Sequence, residues 1–271
     1  MRVLTVLSLK GGAGKTTVVL GLAGAALQRG LSTLVVDLDP QANATLGLDA
    51  TPGEATVADV LDEPRRAPSR AIVPSGWLAT DDDGGRPAGV LDVIPGDDAT
   101  HRHDDPMPKA HDLRRLGALL GRLDHPYDIV LIDSPPSLGQ LTRSALVASR
   151  RALVVTEPSL FTVHAAERTL RAIADERQQH NPDLQPLGVV VNRYRERSPE
   201  HRYRLQEMRD LFGPLVLAPP VPERSVIQHA QGMARPVQLW HTPAGRDVTE
   251  SFDRYLSRLL RSVRDGTASA S

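Results

Sequence analysis

A glycine-rich segment at positions 10–17 constrains the fold of this chain more than any other part of the sequence. It follows a short apolar run at 3–9, which predicts a strand, and precedes a stretch at 16–29 with the length and composition of a helix. Glycines let successive backbone N–H groups converge on a phosphate without Cβ clashes, and a helix N-terminus favours the same anion. The segment therefore predicts a phosphate-binding loop. Its residues are Lys10, Gly11, Gly12, Ala13, Gly14, Lys15, Thr16 and Thr17.

The end of this loop supplies the two side chains that a nucleoside triphosphate site requires. Lys15 is expected to reach the β- and γ-phosphates, and the Thr16 hydroxyl to hold Mg²⁺. The general pattern G-x-x-x-x-G-K-[ST] also requires a glycine at the position of Leu9. The loop therefore departs from the standard motif at one position, and it carries a second lysine, Lys10.

Strand-like and helix-like stretches alternate along the chain. This order predicts an α/β fold, a single domain with a mostly parallel seven- or eight-stranded sheet and helices on both faces, as in P-loop NTPases. We expect this domain to cover residues 1–264, with surface loops at 63–88 and 97–108 and a disordered tail at 265–271. The predicted strands are 3–9, 33–37, 90–94, 127–133, 152–156, 187–191 and 215–217. The predicted helices are 16–29, 56–62, 109–123, 137–149, 162–180, 199–212, 224–231 and 244–264.

Composition excludes several other classes of protein. The 271 residues include no cysteine, which excludes disulfide frameworks and thiolate metal sites. No apolar run reaches the roughly 18 residues of a membrane-spanning helix, and the first residues do not resemble a secretory signal. The formal net charge of -1 argues against a uniformly basic nucleic-acid coat and leaves room for a local basic patch. We therefore expect a cytoplasmic protein.

Acidic residues follow two of the predicted strands at their carboxyl ends. Asp37 and Asp39 follow the second strand, and Asp133 follows the apolar run 129–132. Ligands of open α/β sheets bind outside the carboxyl ends of the strands. We therefore expect Asp133 to hold Mg²⁺ with Thr16, Asp39 to orient the attacking water, and Asp37 to support the metal shell. The alternative for each acid is a capping role at the end of its strand.

Three segments resemble motifs of the ParA/MinD group of ATPases. Residues 10–17 are similar to its deviant Walker A loop, 37–45 to its second nucleotide motif, and 133–137 to its switch segment. Weaker similarity extends over nearly the whole chain. The resemblance implies the P-loop fold, ATP and Mg²⁺ as ligands, and partition of plasmid or chromosomal DNA as the function.

The resemblance also implies partners and further site residues. It implies an ATP-bound homodimer, in which Lys10 touches the other subunit's nucleotide and Gly11 lies where the subunits approach most closely. It implies that Asn192 and Pro222 lie near the adenine. It further implies that the dimer binds nonspecific DNA on the nucleoid and that a ParB-type centromere-binding protein stimulates hydrolysis. Because no glutamate follows Asp133 as a general base, we expect slow intrinsic turnover.

The sequence departs from the family pattern outside the phosphate site. Ser8 and Leu9 stand where Asn-Gln is common, and residues 156–161 replace an aromatic-rich segment. Glu223 stands where short ParA proteins commonly have an arginine. These departures concern the contacts with partner and DNA.

Arginines are concentrated at 193–209, where six arginines accompany three glutamates. Such an excess predicts either a phosphate-binding surface or a solvated helix face with Glu–Arg pairs. We hypothesise that Arg197, Arg224 and Arg235 contribute to an ATP-dependent DNA surface.

The C-terminal stretch leaves an alternative function open. Its apolar stripe predicts either a last helix packed on the sheet, which we expect, or a membrane-binding amphipathic helix such as MinD proteins use. A MinD-like membrane-associated positioning ATPase is therefore the alternative. A related ATPase with another cargo also stays open, whereas the missing cysteines disfavour a metal-cluster carrier. The stripe consists of Phe252, Tyr255, Leu256, Leu259, Leu260 and Val263.

Overall fold

Seven strands form one sheet in the computed structural model, which describes residues 1–64, 66–78 and 89–262. The strands are β1 (Arg2–Leu7), β2 (Thr33–Asp37), β3 (Val73–Pro74), β4 (Leu91–Ile94), β5 (Ile129–Asp133), β6 (Arg151–Thr156) and β7 (Gln185–Val191). Their order across the sheet is β3-β4-β2-β5-β1-β6-β7. All neighbours are parallel except β3 and β4. The predicted fold class is therefore confirmed.

Helices connect the parallel strands and cover both faces of the sheet. They are α1 (Lys15–Gln28), α2 (Asn43–Gly47), α3 (Val57–Asp62), α4 (Ala110–Leu113), α5 (Arg115–Leu120), α6 (Gln140–Ala148), α7 (Leu160–Gln179), α8 (Pro199–Phe212), α9 (Ser225–Gly232) and α10 (Pro243–Ser262). Side chains alternate between the two faces of each strand, so Leu4 and Val6 pack with α1 and α10 while Leu7 packs with α6 and α7. Burial on both faces explains why the strands read as near-continuous apolar runs.

The register of the sheet brings the polar ends of three strands together. Asp37 of β2 lies directly beside Asp133 of β5, and Asp133 lies beside Val6 of β1. The glycine loop leaves β1 at this same edge. The strand order therefore assembles, at one edge, residues that are far apart in the sequence.

Helix α10 packs along α1 through the apolar stripe. Phe252, Tyr255, Leu256 and Leu259 are each at most 1% exposed and belong to the core that contains α1. A Cβ at Gly21 of α1 would lie 2.3 Å from the Phe252 ring, so the two helices are in close contact. The prediction of a packed last helix is confirmed for the part that the structure describes. Val263 and the predicted tail at 265–271 lie outside the described residues.

Several element boundaries differ from those predicted. The predicted strand at 215–217 is wrong: a short 3₁₀ turn occupies Gly213–Leu215, and Val216 makes a single bridge to Val189 of β7. Prolines at 214, 219 and 220 lack the N–H groups that a ladder needs. The predicted helix at 109–123 is two short helices, α4 and α5, that meet at Arg114.

Among the described α-helices and strands, one short helix and one short strand were missed. Helix α2 lies directly after the Asp37–Asp39 segment, and β3 lies in the predicted loop 63–88, part of which is outside the described residues. Both are too short for a period in hydrophobicity to be recognised. Among the described helices, none combines the length and apolar character that crossing a bilayer requires.

Candidate functional site

The glycine loop owes its shape to two glycines with left-handed backbone. Gly12 has φ 78° and Gly14 has φ 92°, conformations that other residues rarely adopt. Gly14 also leaves no space for a side chain, because a Cβ there would lie 2.0 Å from Asn192 Nδ2. Helix α1 begins directly after it, at Lys15, with no side chain capping its N-terminus. The first N–H groups of α1 are therefore available to an anion.

A lysine, a hydroxyl and a carboxylate meet at the start of α1. Thr16 Oγ1 donates a hydrogen bond to Asp133 Oδ2 at 2.6 Å, and Lys15 is buried beside them with 6% exposure. Asp133 is fully buried, and within the described chain its Oδ1 accepts no hydrogen bond. Burial and the neighbouring Asp37 carboxylate raise the pKa of Asp133 to about 8, against the lowering effect of Thr16 and Lys15. This set of oxygens suits a small divalent cation that retains several waters.

Asp37 is committed to the segment that follows β2. Its Oδ2 accepts hydrogen bonds from the backbone N–H and the hydroxyl of Thr45, each at 2.8 Å, and its Oδ1 accepts from the Asp39 N–H at 3.2 Å. Thr45 Oγ1 in turn accepts from the Gly96 N–H at 2.9 Å. Burial raises the pKa of Asp37 to about 6. Asp37 therefore fixes the start of α2 relative to the metal-binding edge, and Thr45 is a site residue that the sequence analysis missed.

Asp39 lies at the same edge and is 6% exposed. One of its oxygens accepts a hydrogen bond from the Gln41 N–H at 3.1 Å, as expected of an acid in a turn. Its charge contributes to the raised pKa of both Asp37 and Asp133, so the three carboxylates form one group. Its predicted role in orienting water stays a prediction.

The far side of the loop is closed by Asn192, which follows β7. Asn192 Nδ2 donates to the Ala13 carbonyl at 2.9 Å, and its buried Oδ1 accepts no hydrogen bond from any described residue. Pro222 and Asn192 line one small cavity of about 60 Å³ next to Thr17 of α1. The structure therefore brings both predicted base-binding residues to the N-terminal end of α1.

Gln231 of α9 joins this region and was not predicted. Its Nε2 donates to Thr17 Oγ1 at 2.9 Å, and it lines the same cavity. The contact spans 214 residues of sequence, and no local pattern marks a single polar residue in such a role.

Comparisons with known proteins agree with this geometry. The profile of an AAA domain family, AAA_31, matches residues 1–186. The chromosome partitioning protein ParA of Caulobacter vibrioides is 32% identical over 245 residues, which cover 89% of this chain and 87% of that protein. The chain belongs to the ParA family.

Two solved structures extend the likeness over nearly the whole chain. Cobyrinic acid a,c-diamide synthase from Mycobacterium smegmatis with bound ADP and magnesium has a TM-score of 0.78 and 29% identity, and the match covers 98% of this chain and 96% of that chain. The Pyrococcus furiosus cell division ATPase MinD has a TM-score of 0.73 and 25% identity, with 96% and 99% covered. The ParA-type P-loop fold is thus shared by proteins that are named for different functions.

The extra lysine of this ParA-family chain is engaged by an acid of its own chain. Lys10 Nζ lies 2.8 Å from Glu157 Oε2, and Arg193 Nη1 lies 2.8 Å from Glu157 Oε1. Glu157 directly follows β6 and Asp133 ends β5. The criterion that selected Asp133, an acid at the end of an apolar run, could therefore have selected Glu157 too. A Cβ at Gly11 would meet nothing within 4 Å, so the space beside the loop is open. The cross-subunit roles of Lys10 and Gly11 stay predictions.

Of the three arginines predicted to bind DNA, Arg224 lines the cavity of about 60 Å³ beside Thr17, Arg235 lines a neighbouring cavity, and Arg197 lines neither. Arg197 is exposed just before α8, Arg224 pairs with Asp247 at 3.2 Å, and Arg235 is half-buried after α9. Their contact with DNA stays a prediction.

The arginine-rich segment 193–209 carries less uncompensated charge than its composition suggests. Three of its arginines form ion pairs with acids, so much of the segment is the solvated, paired face that was the alternative. The pairs are Arg193–Glu157, Arg195–Glu223, Arg204–Glu200 and Arg204–Glu207.

Proposed function

We propose that this protein is a DNA-partition ATPase that hydrolyses Mg·ATP slowly as a dimer. The observation that carries the proposal is the Thr16–Asp133 hydrogen bond beside the buried Lys15 at the start of α1. These three residues combine a phosphate-binding lysine, a metal-binding hydroxyl and a buried acid whose second oxygen accepts no hydrogen bond from a described residue. The names of relatives support the cargo, since the Caulobacter relative is a chromosome partitioning protein.

The residues at this edge fit a magnesium ion. A buried carboxylate with an orphaned oxygen is costly unless a cation or donor satisfies it, and Asp133 has such an oxygen. Thr16 and Asp133 would hold Mg²⁺, which when bound to nucleotide supplies charge neutralisation at the phosphates. Asp37 would support the metal site indirectly, because it accepts two hydrogen bonds from Thr45 and so fixes the segment that follows β2.

Each part of the nucleotide has residues of matching chemistry. The N–H groups of Gly12 to Thr17 suit the phosphates, and the Lys15 ammonium suits the β- and γ-phosphate oxygens. Near the base, the bond to the Ala13 carbonyl fixes the Asn192 amide with its acceptor oxygen unpaired. An unpaired acceptor favours a base that presents an amino group, as adenine does. Pro222 would pack against the same ring.

Hydrolysis depends on positioning rather than on a strong base. Asp39 would hold the attacking water, and Lys10 of a second subunit would stabilise charge on the transferred phosphoryl group. Lys10 must then leave Glu157 of its own chain, so the complete site requires two subunits. Slow intrinsic turnover follows, because the isolated chain lacks one of its cations at the reaction centre.

Partition requires two further partners. The ATP-bound dimer would bind nonspecific DNA on the nucleoid, with Arg197, Arg224 and Arg235 contributing, and a ParB-type centromere-binding protein would stimulate hydrolysis. Burial of the α10 stripe against α1 speaks against the MinD-like alternative, since those side chains are unavailable to a membrane.

The test is phosphate release from ATP by the protein alone, with duplex DNA, and with DNA plus a ParB-type protein from the same genome. We expect slow release alone and at least tenfold stimulation in the third mixture, with liposomes having no effect. Fast phosphate release by the protein alone would contradict the proposed slow intrinsic turnover. ATP-dependent flotation of the protein with liposomes would favour the MinD-like alternative. A matched control is Lys15→Ala, which should abolish release in every mixture.

A further inference from the structure

A second, larger cavity lies at the opposite end of α1 from the glycine loop. It is a groove of about 880 Å³ between α10, the end of α1 at Arg29, and the segments 216–218 and 238–241. Helix α1 has 14 residues, so its two ends are about 21 Å apart. No residue of the phosphate loop lines this groove. We call it the α10 groove.

The α10 groove is strongly cationic. Two carboxylates also line it, and both are already paired: Glu250 with Arg254, and Asp253 with Arg29 at 3.3 Å. An excess of three positive charges is therefore left along α10. The arginines that line the groove are Arg29, Arg246, Arg254, Arg258 and Arg261.

Three of these arginines have no acidic partner among the described residues. Arg258 donates to the carbonyls of Leu187 at 2.9 Å and Pro214 at 3.3 Å, and Arg246 donates to the His241 carbonyl at 2.7 Å. Neutral carbonyls orient a guanidinium group without cancelling its charge. Arg261 is exposed at the last turn of α10. The groove therefore presents oriented, uncompensated donors, which suit phosphate oxygens.

The shape and lining of the groove favour a nucleic-acid backbone over a peptide. Arg246 and Arg261 are 15 positions apart on one helix, which is about 22 Å, or roughly six base pairs of duplex DNA. Bound peptides are held mainly by apolar anchors. The large apolar residues that line the groove are buried (Leu217, Tyr255) or half-buried (Val216, Trp240), and most of its other lining residues are polar or charged. The phosphodiester backbone of a nucleic acid can bind through the arginine side chains without apolar anchors.

We infer that the α10 groove binds the phosphodiester backbone of duplex DNA through Arg246, Arg258 and Arg261. This inference rests on the proposed DNA-binding function and adds Arg246, Arg258 and Arg261 to the arginines at 197, 224 and 235. The two sets adjoin at the start of α10, where Asp247 pairs with Arg224. The added arginines lie on a helix that does not contribute to the phosphate site.

The experiment compares wild-type protein with Arg246→Glu/Arg261→Glu, which leaves the structural bonds of Arg258 intact. Affinity for a 40-base-pair duplex is measured with the slowly hydrolysed analogue ATPγS at several KCl concentrations. We expect at least tenfold weaker binding at 100 mM KCl, and a salt slope lower by about two ions per protomer. ATP hydrolysis without DNA should be unchanged, which also shows that the variant is folded.

The matched control is Arg168→Glu/Arg177→Glu, an equal change of charge on exposed positions of α7, which packs on the other face of the sheet. An equal loss of affinity in both variants would mean that only the overall charge matters and would overturn the inference. So would unchanged DNA binding combined with loss of tripolyphosphate binding by Arg246→Glu/Arg261→Glu, because the groove would then hold a small anion. If wild-type protein with ATPγS does not bind DNA at all, the proposed function fails instead.

Discussion

At the scale of single residues, the site concentrates negative charge where water is excluded. Asp37, Asp39 and Asp133 lie together at the ends of β2 and β5, and burial raises the pKa of Asp37 to about 6 and of Asp133 to about 8. Such grouping costs stability in the ligand-free protein, since like charges repel and each carboxylate loses hydration. A bound cation would offset this cost in stability, because it neutralises the carboxylates. Carboxyl groups with raised pKa values are therefore expected at a metal site.

Asp133→Asn should therefore separate stability from function. Replacing the carboxyl with a neutral amide that keeps an acceptor for Thr16 removes the cost of burying an ionisable group. This should stabilise the ligand-free protein by about 1–2 kcal/mol. The same change should abolish the extra stability that Mg·ATP gives the wild-type protein, because the metal loses its carboxylate. Thermal unfolding with and without Mg·ATP measures both effects. A variant less stable than wild type without ligand would show that Asp133 serves the fold itself.

Glycines 14 and 11 should respond differently to alanine. Gly14→Ala places a Cβ at φ 92° and against the Asn192 amide, so the loop must distort and ATP affinity should fall at least tenfold. Gly11→Ala meets open space, so the monomer should bind ATP normally. Calorimetric titration of each variant with ATP checks the pair. Equal losses would mean that position 11 excludes a side chain as position 14 does, contrary to the geometry.

At the scale of elements, the packing of α10 distinguishes a core helix from a membrane-binding amphipathic helix. The apolar stripe of α10 packs on α1, where Gly21 leaves room for the Phe252 ring. The opposite side of α10 carries the arginines of the α10 groove. Helix α10 thus supplies part of the core on one side and a charged surface on the other. Binding of a partner to the charged surface does not require the core side to change.

Phe252→Ala should lower the free energy of unfolding by about 3–5 kcal/mol, because a fully buried ring leaves a cavity. Phe161→Ala is the matched control, since Phe161 is 81% exposed and its loss should change stability by less than about 0.5 kcal/mol. Urea unfolding measures both. A small loss of unfolding free energy in Phe252→Ala would mean that α10 contributes little to the core. That result would again favour a membrane-binding role for its apolar stripe.

At the scale of the whole molecule, the proposed pairing of subunits would require breaking a contact within each one. Lys10 is held by Glu157, which also holds Arg193, and both charges lie beside the open space next to Gly11. A second subunit must offer Lys10 a stronger anion than Glu157, and a triphosphate carries more charge. The Lys10 ammonium group can therefore contact either Glu157 of its own chain or, in the proposed dimer, the nucleotide of the other subunit.

Lys10→Ala and Glu157→Gln should shift this balance in opposite directions. Lys10→Ala should bind ATP as a monomer but fail to dimerise or hydrolyse it, because the cross-subunit cation is missing. Glu157→Gln should dimerise with ATP at lower protein concentration, since Lys10 no longer leaves an ion pair. Sedimentation velocity with ATPγS measures both. Wild-type dimerisation and hydrolysis in Lys10→Ala would reduce the protein to an NTPase that acts alone.

Much of the site could be predicted from the sequence because its parts are local. Glycines at 12 and 14, the lysine after them and the hydroxyl at 16 are neighbours in one turn, so their chemistry follows from residue type and spacing. Asp37 and Asp133 were predicted because an acid after an apolar run marks the end of a buried strand. The strands themselves followed from the same runs, whereas 215–217 misled because prolines prevent the ladder that its apolar residues suggest.

The tertiary structure decided which distant residues meet and which charges remain uncompensated. Glu157 reaches Lys10 across 147 positions and Gln231 reaches Thr17 across 214, because β1 lies between β5 and β6 and the later helices fold back over α1. No local period records such encounters. Likewise, arginines occur both at 193–209 and along α10, and the sequence does not show which of them are compensated. In the structure, Arg193, Arg195 and Arg204 pair with acids. Arg246 and Arg258 of α10 are bonded to neutral carbonyls instead. Local spacing determines chemistry, whereas strand order and packing determine where that chemistry is exposed, since contacts between distant segments depend on the whole chain.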